Sequence, residues 1–345
     1  MEIAQNVSPK ADLVTPDHIA LLALHLLKRE LLPDEIAQWM NRATQMGHDF
    51  ETCFALMIAT PEYQSRLGVN PGHPPGHYYS PIVNPAELKT HFRVDRKKRV
   101  DDLAGLLIRD ATLQAEFAML APLIAKHRFS TTKTEGERYF IDNGVYPQGD
   151  AIILAAMIAR FRPKQIIEIG SGFSTACMLD AIDREGLKTK VICVEPFPQR
   201  LRSTLTERDA DRVTIIEAMV QTTAPEMYDT LEAGDILFID STHVVKTGSD
   251  VCFEIFEILP RLKPGVIVHF HDIQYPFEYP DVWIFGKRWS WNEIYMVRAF
   301  LMYNDRFRVI AFNSYWGQHH RPKLESAYGA PVPNPGGSIW MRVLE

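Results

Sequence analysis

Five short polar stations in the second half of the chain carry the residue types that could do chemistry. The first is Glu168-Ile169-Gly170-Ser171-Gly172-Phe173-Ser174-Thr175, where an apolar run breaks into a Gly-x-Gly turn and continues into residues suited to open a helix. Two glycines let the backbone turn tightly and approach a ligand, and a helix start offers unpaired N–H groups. Glu195 closes the next apolar run, 25 positions after Gly170, and is suited to accept hydrogen bonds from two ribose hydroxyls. A third run ends at Glu217-Ala218-Met219-Val220, where an apolar side chain such as Met219 can face an adenine ring. The fourth ends at Asp240, followed by Ser241-Thr242-His243, and the fifth at His271-Asp272. Carboxylates and imidazoles at this depth can act as bases or ligate a metal. Each station is weak evidence alone; their order makes them specific.

The elements that must position these residues follow from the hydrophobic pattern. From about residue 150 short apolar runs alternate with helical periodicity, the signature of a parallel sheet in a doubly wound α/β fold. The expected strands are QIIEIG, KVICVEP, RVTIIEAMV, DILFIDST and VIVHFHDI, then RFRVIAFNS and SIWMRVLE, the last two adjoining without a helix. A helix is expected over 249–262 and another near 291–304. Ligands of such sheets bind at the carboxyl ends of the strands, where all five stations fall. A dinucleotide fingerprint would want a third glycine at position 175, which is Thr, and no phosphate-binding Lys follows the turn. A cofactor without a pyrophosphate fits better. His269, one step deeper than His271, reads as a core residue.

The first part of the chain is helical in pattern. Asp17 is expected to cap a helix carrying Ile19, Leu22, Leu26 and Leu27. Pro33-Asp34-Glu35 opens a second, and Phe50, Cys53, Phe54 and Met57 mark a third. These define a helical domain over 1–67, a Gly/Pro/His-rich linker over 68–85 and a helical arm over 86–135, ahead of the α/β domain at 136–345. His73 and His77, in the Pro-rich linker, read as solvated. Arg93, Arg96, Lys97, Lys98 and Arg99 read as a solvated helix face, and a net charge of −6 provides no field to hold nucleic acid. Of 345 residues 46% are hydrophobic and 23% charged, ordinary for a globular chain with room for one large and one small domain. The four cysteines are widely spaced and expected as buried thiols. No run approaches the ~18 apolar residues of a membrane span, and no leader pattern opens the chain, so a cytoplasmic location is expected.

With EIGSGFST, GDILFIDSTHVVKTGSDV and LPRLKPGVIVHFHDIQYPFEYP, residues 140–345 resemble class I S-adenosylmethionine-dependent methyltransferases. Within them the chain is similar to a bacterial subgroup of small-molecule and sugar O-methyltransferases. The resemblance implies a seven-stranded sheet with an antiparallel last strand. It also places Glu168, Gly170, Gly172 and Ser174, with Ser171 in the same turn, at the methionine part of the cofactor and Glu195 at its ribose. Related metal-dependent enzymes put acidic or amide ligands at positions like Asp240 and the 271–272 pair. Asp240, His271 and Asp272 are therefore candidate ligands for a divalent metal. With His at 271, Mn²⁺, Fe²⁺ or Zn²⁺ suit as well as Mg²⁺. Without metal, His243 or His271 is the candidate base, with Asp272 beside it. The N-terminal run LLKRELLP, Trp39 and TPEY resemble the helical module related to phycobilisome linkers, which implies a docking role near surface-polysaccharide proteins.

The activity expected is O-methylation of a sugar-containing or other small hydroxylated metabolite. The alternatives are a metal-independent N-methyltransferase and a non-catalytic protein of the same fold docked to a glycan-assembly complex. Intact Gly170, Gly172, Glu195 and Asp240 argue against the last. Seven aromatics between Tyr275 and Trp291 should overhang the active end, and His319, His320 and Arg321 start from the same end.

Overall fold

A computed structural model describes residues 14–46, 50–66, 73 and 75–345. The chain separates into two units, Met1–His91 and Phe92–Glu345.

In the first unit α1 (Pro16–Leu26), α2 (Pro33–Met46), α3 (Phe50–Ile58), α4 (Pro61–Arg66) and α5 (Pro85–His91) follow one another. Thr15, not Asp17, caps α1: its side chain accepts from the His18 N–H at 3.2 Å, and Pro16 takes the first turn, where its missing N–H costs nothing. Asp17 lies inside that turn, where a negative charge suits the helix dipole. The small core gathers Ile19, Leu22, Ala23, Leu27, Ala43, Cys53 and Met57, while Phe54 faces outward. Arg29 joins the two halves of the N-terminal sequence motif, bonding Glu35 and Glu62. In the stretch after α4, the described part of 75–83 forms turns only, as its prolines and glycines dictate, and the His73 and His77 rings stack 4.2 Å apart.

In the second unit the arm is less helical than its apolar spacing suggests. Residues 92–99 form turns, and only α6 (Asp110–Ile124) is a long helix. This segment is not a helix, and two of its five basic residues are held by tertiary partners, while Lys97 and Lys98 are exposed as expected. Arg96 bonds the Tyr279 carbonyl and Asp281, and Arg99 pairs with Asp110.

The sheet then forms in the order β3-β2-β1-β4-β5-β7-β6. Its strands are β1 (Gln165–Ile169), β2 (Lys190–Val194), β3 (Val213–Ile216), β4 (Ile236–Ile239), β5 (Ile267–Phe270), β6 (Phe307–Phe312) and β7 (Ile339–Val343). Strands β1 to β5 pair in parallel, and β7 runs antiparallel between β5 and β6. This is the expected seven-stranded Rossmann-like methyltransferase sheet. The central strands read as continuous apolar runs because helices cover both faces. Helix α7 (Gln148–Phe161) is buried from Gly149 to Ala159, and α8 (Phe173–Arg184), which follows β1, is buried almost as fully.

The remaining helices are α9 (Gln199–Thr204), α10 (Asp250–Phe253), α11 (Glu293–Leu301), α12 (Asn313–His319) and α13 (Arg321–Tyr328). After α10 the chain widens into a π-helical turn over Glu254–Ile258, within the single helix expected there. Two helices also separate β6 from β7, where the sequence suggested none. Gly317, His319-His320 and Pro322 obscured their periodicity. Pro322 occupies a first-turn position of α13, where it is tolerated, and Gly329 closes that helix at φ 71°. No helix among the described residues is long and apolar enough to cross a membrane.

Candidate active site

The carboxyl ends of β1, β2, β4 and β5 open into one cavity of about 940 Å³. At its floor the turn after β1 is built by close approach. Gly170 sits at φ 77°, and a Cβ there would lie 1.8 Å from the Asp240 carbonyl oxygen, so only glycine lets β1 and β4 meet at this height. Thr175, in the place of a third glycine, has a positive role. Its hydroxyl accepts from the Gly172 N–H at 3.1 Å and donates to Glu168 Oε2 at 2.5 Å. Ser174 donates to the other Glu168 oxygen at 2.6 Å. Burial lifts the Glu168 carboxyl to about 7 against these hydrogen bonds, which pull it down. Thr175→Val should raise Glu168 further and free the Gly172 N–H, costing about 1–3 kcal/mol of stability. Chemical denaturation with and without S-adenosylhomocysteine would show both the loss and a weakened ligand effect.

The structure brings most of the expected residues together. Gly170, Ser171, Gly172, Ser174, Glu195, Asp240, His243, His271 and Asp272 all line the cavity. Glu195 accepts from the Ser171 and Phe197 N–H groups at 3.1 and 2.8 Å, which aims its carboxylate across the turn. Two expected cofactor contacts lie elsewhere. Glu168 is wholly buried beneath the turn, a positioning group that does not line the cavity. Met219 is 53% exposed because β3 already ends at Ile216, and the chain turns away before reaching it. His319, His320 and Arg321 also miss the cavity. His320 bonds Asp110 at 2.9 Å, His319 packs on Tyr275, and Arg321 bonds the Val332 carbonyl. Pro333 and Asn334, further along that segment, line it instead. His269 stacks on Phe238 at 3.7 Å as a core residue.

His243 occupies the centre of the acidic end. Its Nε2 lies 3.5 Å from Asp240 Oδ1 and 3.7 Å from Asp272 Oδ2. Its Nδ1 lies 2.7 Å from Oε2 of Glu293, a carboxylate 1% exposed that the sequence reading missed. The first turn of α11 grips this residue from two sides, because the Asn292 and Glu293 N–H groups both donate to the His243 carbonyl at 3.1 Å. Asn292 also bonds both backbone groups of Val245. The only sequence signal for Glu293 was an acid in the first turn of a helix, which says nothing about a partner fifty residues away. Both His243 (φ 61°) and Asp272 (φ 55°) adopt left-handed backbone, which costs of order 1–3 kcal/mol each where the surroundings enforce it.

The charges are set by these contacts. Burial opposes the His243 imidazolium, but the contacts with Asp240 and Glu293 outweigh it and hold the ring well above its ordinary value. Burial likewise opposes charge on Asp240, yet His271 and His243 hold its carboxyl down at about 2. Asp272 is raised by burial, against the pull of the same two rings. His271 stacks on Tyr146 at 5.3 Å and is raised because Asp240, Asp272 and Asp150 outweigh its burial.

The metal expectation for Asp240, His271 and Asp272 does not fit this arrangement. Asp240 lies beside His243, Asp272 lies between His243 and His271 at 3.7 and 3.6 Å, and among the described residues no group of three or more His, Cys, Asp or Glu side chains is placed to hold a metal ion. The fit to S-adenosylmethionine is better: a glycine turn that admits no Cβ, a helix start and the Glu195 carboxylate share one wall of the cavity.

The sheet order and glycine turn define a Rossmann-like methyltransferase fold. Residues 167–273, which hold all five stations but not Glu293, match the family model of a methyltransferase domain. Over that stretch the chain is similar to a methyltransferase domain. An uncharacterized protein of Archaeoglobus fulgidus is 28% identical over 165 residues, which is 46% of this chain and 73% of that protein. Similar solved structures include a putative O-methyltransferase from Klebsiella pneumoniae, at 17% identity and a TM-score of 0.38 over 70% of this chain and 93% of that one. An O-methyltransferase from Bacillus cereus in complex with SAH is 15% identical, with a TM-score of 0.36 over 71% of this chain and 95% of that one. At such scores the likeness is loose, and the weight rests on the family match and the sheet order.

Proposed function

We propose that this chain methylates a hydroxyl oxygen of a small metabolite, a saccharide-containing one among the candidates, with His243 as the base. The observation that carries this reading is the buried Glu293–His243 pair, which leaves Nε2 facing the cavity between Asp240 and Asp272. When bound, S-adenosylmethionine supplies a sulfonium methyl group open to in-line displacement by an oxygen lone pair. The turn from Gly170 to Ser174 and the Glu195 carboxylate hold the donor. Nε2 takes the proton that the acceptor hydroxyl loses as its oxygen bonds to carbon, while the carbon–sulfur electron pair stays on sulfur. Glu293 fixes the ring and balances the imidazolium that results. A cationic sulfonium brought to the same end favours the neutral ring beforehand. Trp283, Trp289 and Trp291 line the cavity, and their indoles limit the room for water to compete as acceptor.

Calorimetry tests the donor: binding of S-adenosylmethionine at micromolar concentration is expected, and none at millimolar concentration would sink the reading. Labelled methyl from the donor should appear as an alkali-stable ether, whereas label on nitrogen would transfer the reading to N-methylation. Activity should survive chelation, since no step here uses a metal. Loss on chelation, restored by Mn²⁺ or Mg²⁺, would return Asp240, His271 and Asp272 to a ligand role. Docking of the N-terminal helices to a protein partner remains a separate proposal, which co-purification of the full chain with and without residues 1–67 would test.

A further inference from the structure

We propose that Glu254 is a positioning residue for the base: a neutral buried carboxyl that steadies the loop carrying His243 through Ser241 and leaves Glu293 as the one counter-charge behind the ring. This rests on the assignment of His243 as base and adds the residue that sets the charge around it.

The loop Ser241–His243 is braced from α10. Ser249 caps that helix, and Asp250 and Glu254 follow one turn apart on the same face. Asp250 accepts from the Thr242 N–H at 2.9 Å and from the Thr242 hydroxyl at 2.8 Å. Glu254, fully buried, accepts from the Ser241 hydroxyl at 3.2 Å, and Ser241 lines the cavity two residues before His243. The backbone widens at this acid. The Glu254 carbonyl accepts from the Leu259 N–H, five residues on, which opens the π-helical turn.

Three buried carboxyls, Asp250, Glu254 and Glu293, therefore stand behind a single imidazole. Two of them have what an anion needs. Asp250 takes three donors, the two from Thr242 and the Val251 N–H at 2.9 Å, and Glu293 takes the His243 ring at 2.7 Å. Among the described residues Glu254 meets one serine hydroxyl, at Oε2, while its buried Oε1 has no hydrogen-bond partner, and neither has Oε1 of Glu293. An ionised Glu254 would bury a charge on one neutral donor, a helical turn from the like charge of Asp250. A protonated Glu254 removes that charge and makes Oε1 a donor where the acids supply none. The serine then marks Oε2 as the carbonyl oxygen.

The surroundings act in the same direction. Burial, Glu293 on α11 and Asp250 on α10 push the carboxyl well above its ordinary range, and the Ser241 hydroxyl and the His243 ring do not outweigh them. Tyr228, in the turn Pro225–Thr230, also faces it as a phenol bonded to Thr223. The consequence falls on the base. A second negative charge behind the ring would stabilise the imidazolium and keep Nε2 protonated to higher pH. A neutral Glu254 lets Glu293 orient the ring without that effect.

The test uses the full chain, with glutamate labelled for infrared difference spectroscopy and histidine labelled for NMR. Wild type at neutral pH should show the carbonyl stretch of an undissociated glutamic acid that Glu254→Gln removes. Ser241→Ala should keep that band and move it to higher frequency, because the carbonyl loses its hydrogen bond. The His243 signal, assigned by its absence in His243→Ala, gives the second readout. Glu254→Gln should leave its titration midpoint in place, since one neutral group replaces another, and should keep the deshielded Nδ1 proton shared with Glu293. Glu254→Leu cannot hold Ser241 and should lose that proton to faster exchange with solvent. An ionised Glu254 overturns the proposal: Glu254→Gln would then remove no carbonyl band and lower the His243 midpoint by about one pH unit or more, the effect of deleting a nearby negative charge. A Glu254→Leu protein with an unchanged Nδ1 proton overturns the positioning role. If Glu254→Gln does not fold, the wild-type band decides the charge, and a band that Ser241→Ala leaves unmoved overturns the assignment. Failure of the wild type to bind S-adenosylmethionine is a separate result, which removes the methyltransferase reading and leaves the Glu254 proton as measured.

Discussion

His243→Ala is expected to lower kcat by about 10²–10⁴-fold, the usual worth of a positioned base, with S-adenosylhomocysteine affinity changed little. The ring touches the acidic end of the cavity and not the glycine turn, so removing it takes the proton acceptor and leaves the donor's wall intact. Glu293→Gln separates orientation from charge. An amide can still hold Nδ1, but it no longer balances the imidazolium, so kcat should fall by a smaller factor. The pH profile adds a second readout. The groups facing His243 are Asp240 after β4, Asp272 after β5 and Glu293 on α11; Asp240 and Glu293 raise its pKa above the ordinary value of 6.5 despite burial. A base with a raised pKa is unprotonated only at higher pH. The rate should therefore climb as pH rises through a value above 6.5, and Glu293→Gln should shift that limb downward. A flat profile with full activity in His243→Ala would remove the ring from the reaction and leave catalysis to proximity alone.

Much of the fold was legible because both of its periodicities are strong. Strands such as Ile236–Ile239 are apolar on both faces, and the rule that ligands meet the carboxyl ends of parallel strands located Gly170, Glu195, Asp240 and Asp272 together. The same rule misplaced Glu168 and Met219. Glu168 is at the right height but on a side chain that points under the turn, where Ser174 and Thr175 claim both oxygens. Met219 required β3 to run three residues further than it does. Thr175 was legible as a departure from a dinucleotide fingerprint, whereas its hydrogen bonds across the turn were not. Glu293 was invisible, because its meaning comes from a fold that docks α11 on the loop after β4. The two helices between β6 and β7 were masked by Pro322 and Gly317, residues that break a pattern in sequence yet sit where this backbone tolerates them.

The largest stability effect should come from a residue far from the chemistry. Arg138→Met is expected to destabilise the second unit by about 3–5 kcal/mol, the cost of breaking a buried ion network by removing one member. Arg138 is 4% exposed, and its guanidinium bonds Asp180 at 2.8 Å, Asp183 at 2.9 Å and Asp209 at 2.7 Å. Asp180 also accepts from the Arg138 and Tyr139 N–H groups, so this network pins the strap before α7 onto α8. Arg212 shares Asp183 and Asp209 but does not reach Asp180, which burial already raises and which would be left without its cation. Methionine fills the stem's volume, so the loss measured is chiefly that of the charge. The network also carries a pH signature. Burial opposes charge on Asp209, but its bonds from Arg138, Thr206 and Arg212 hold its pKa well below the ordinary 3.8. A carboxyl lowered on folding contributes stability that is present above its unfolded value and lost as pH falls through the folded one. In the wild type, urea midpoints should therefore fall as the solution is acidified below about pH 4. Arg138→Met should begin from a lower midpoint at neutral pH and show a shallower acid dependence. A variant with unchanged midpoints would mean that Arg212 alone satisfies the acids.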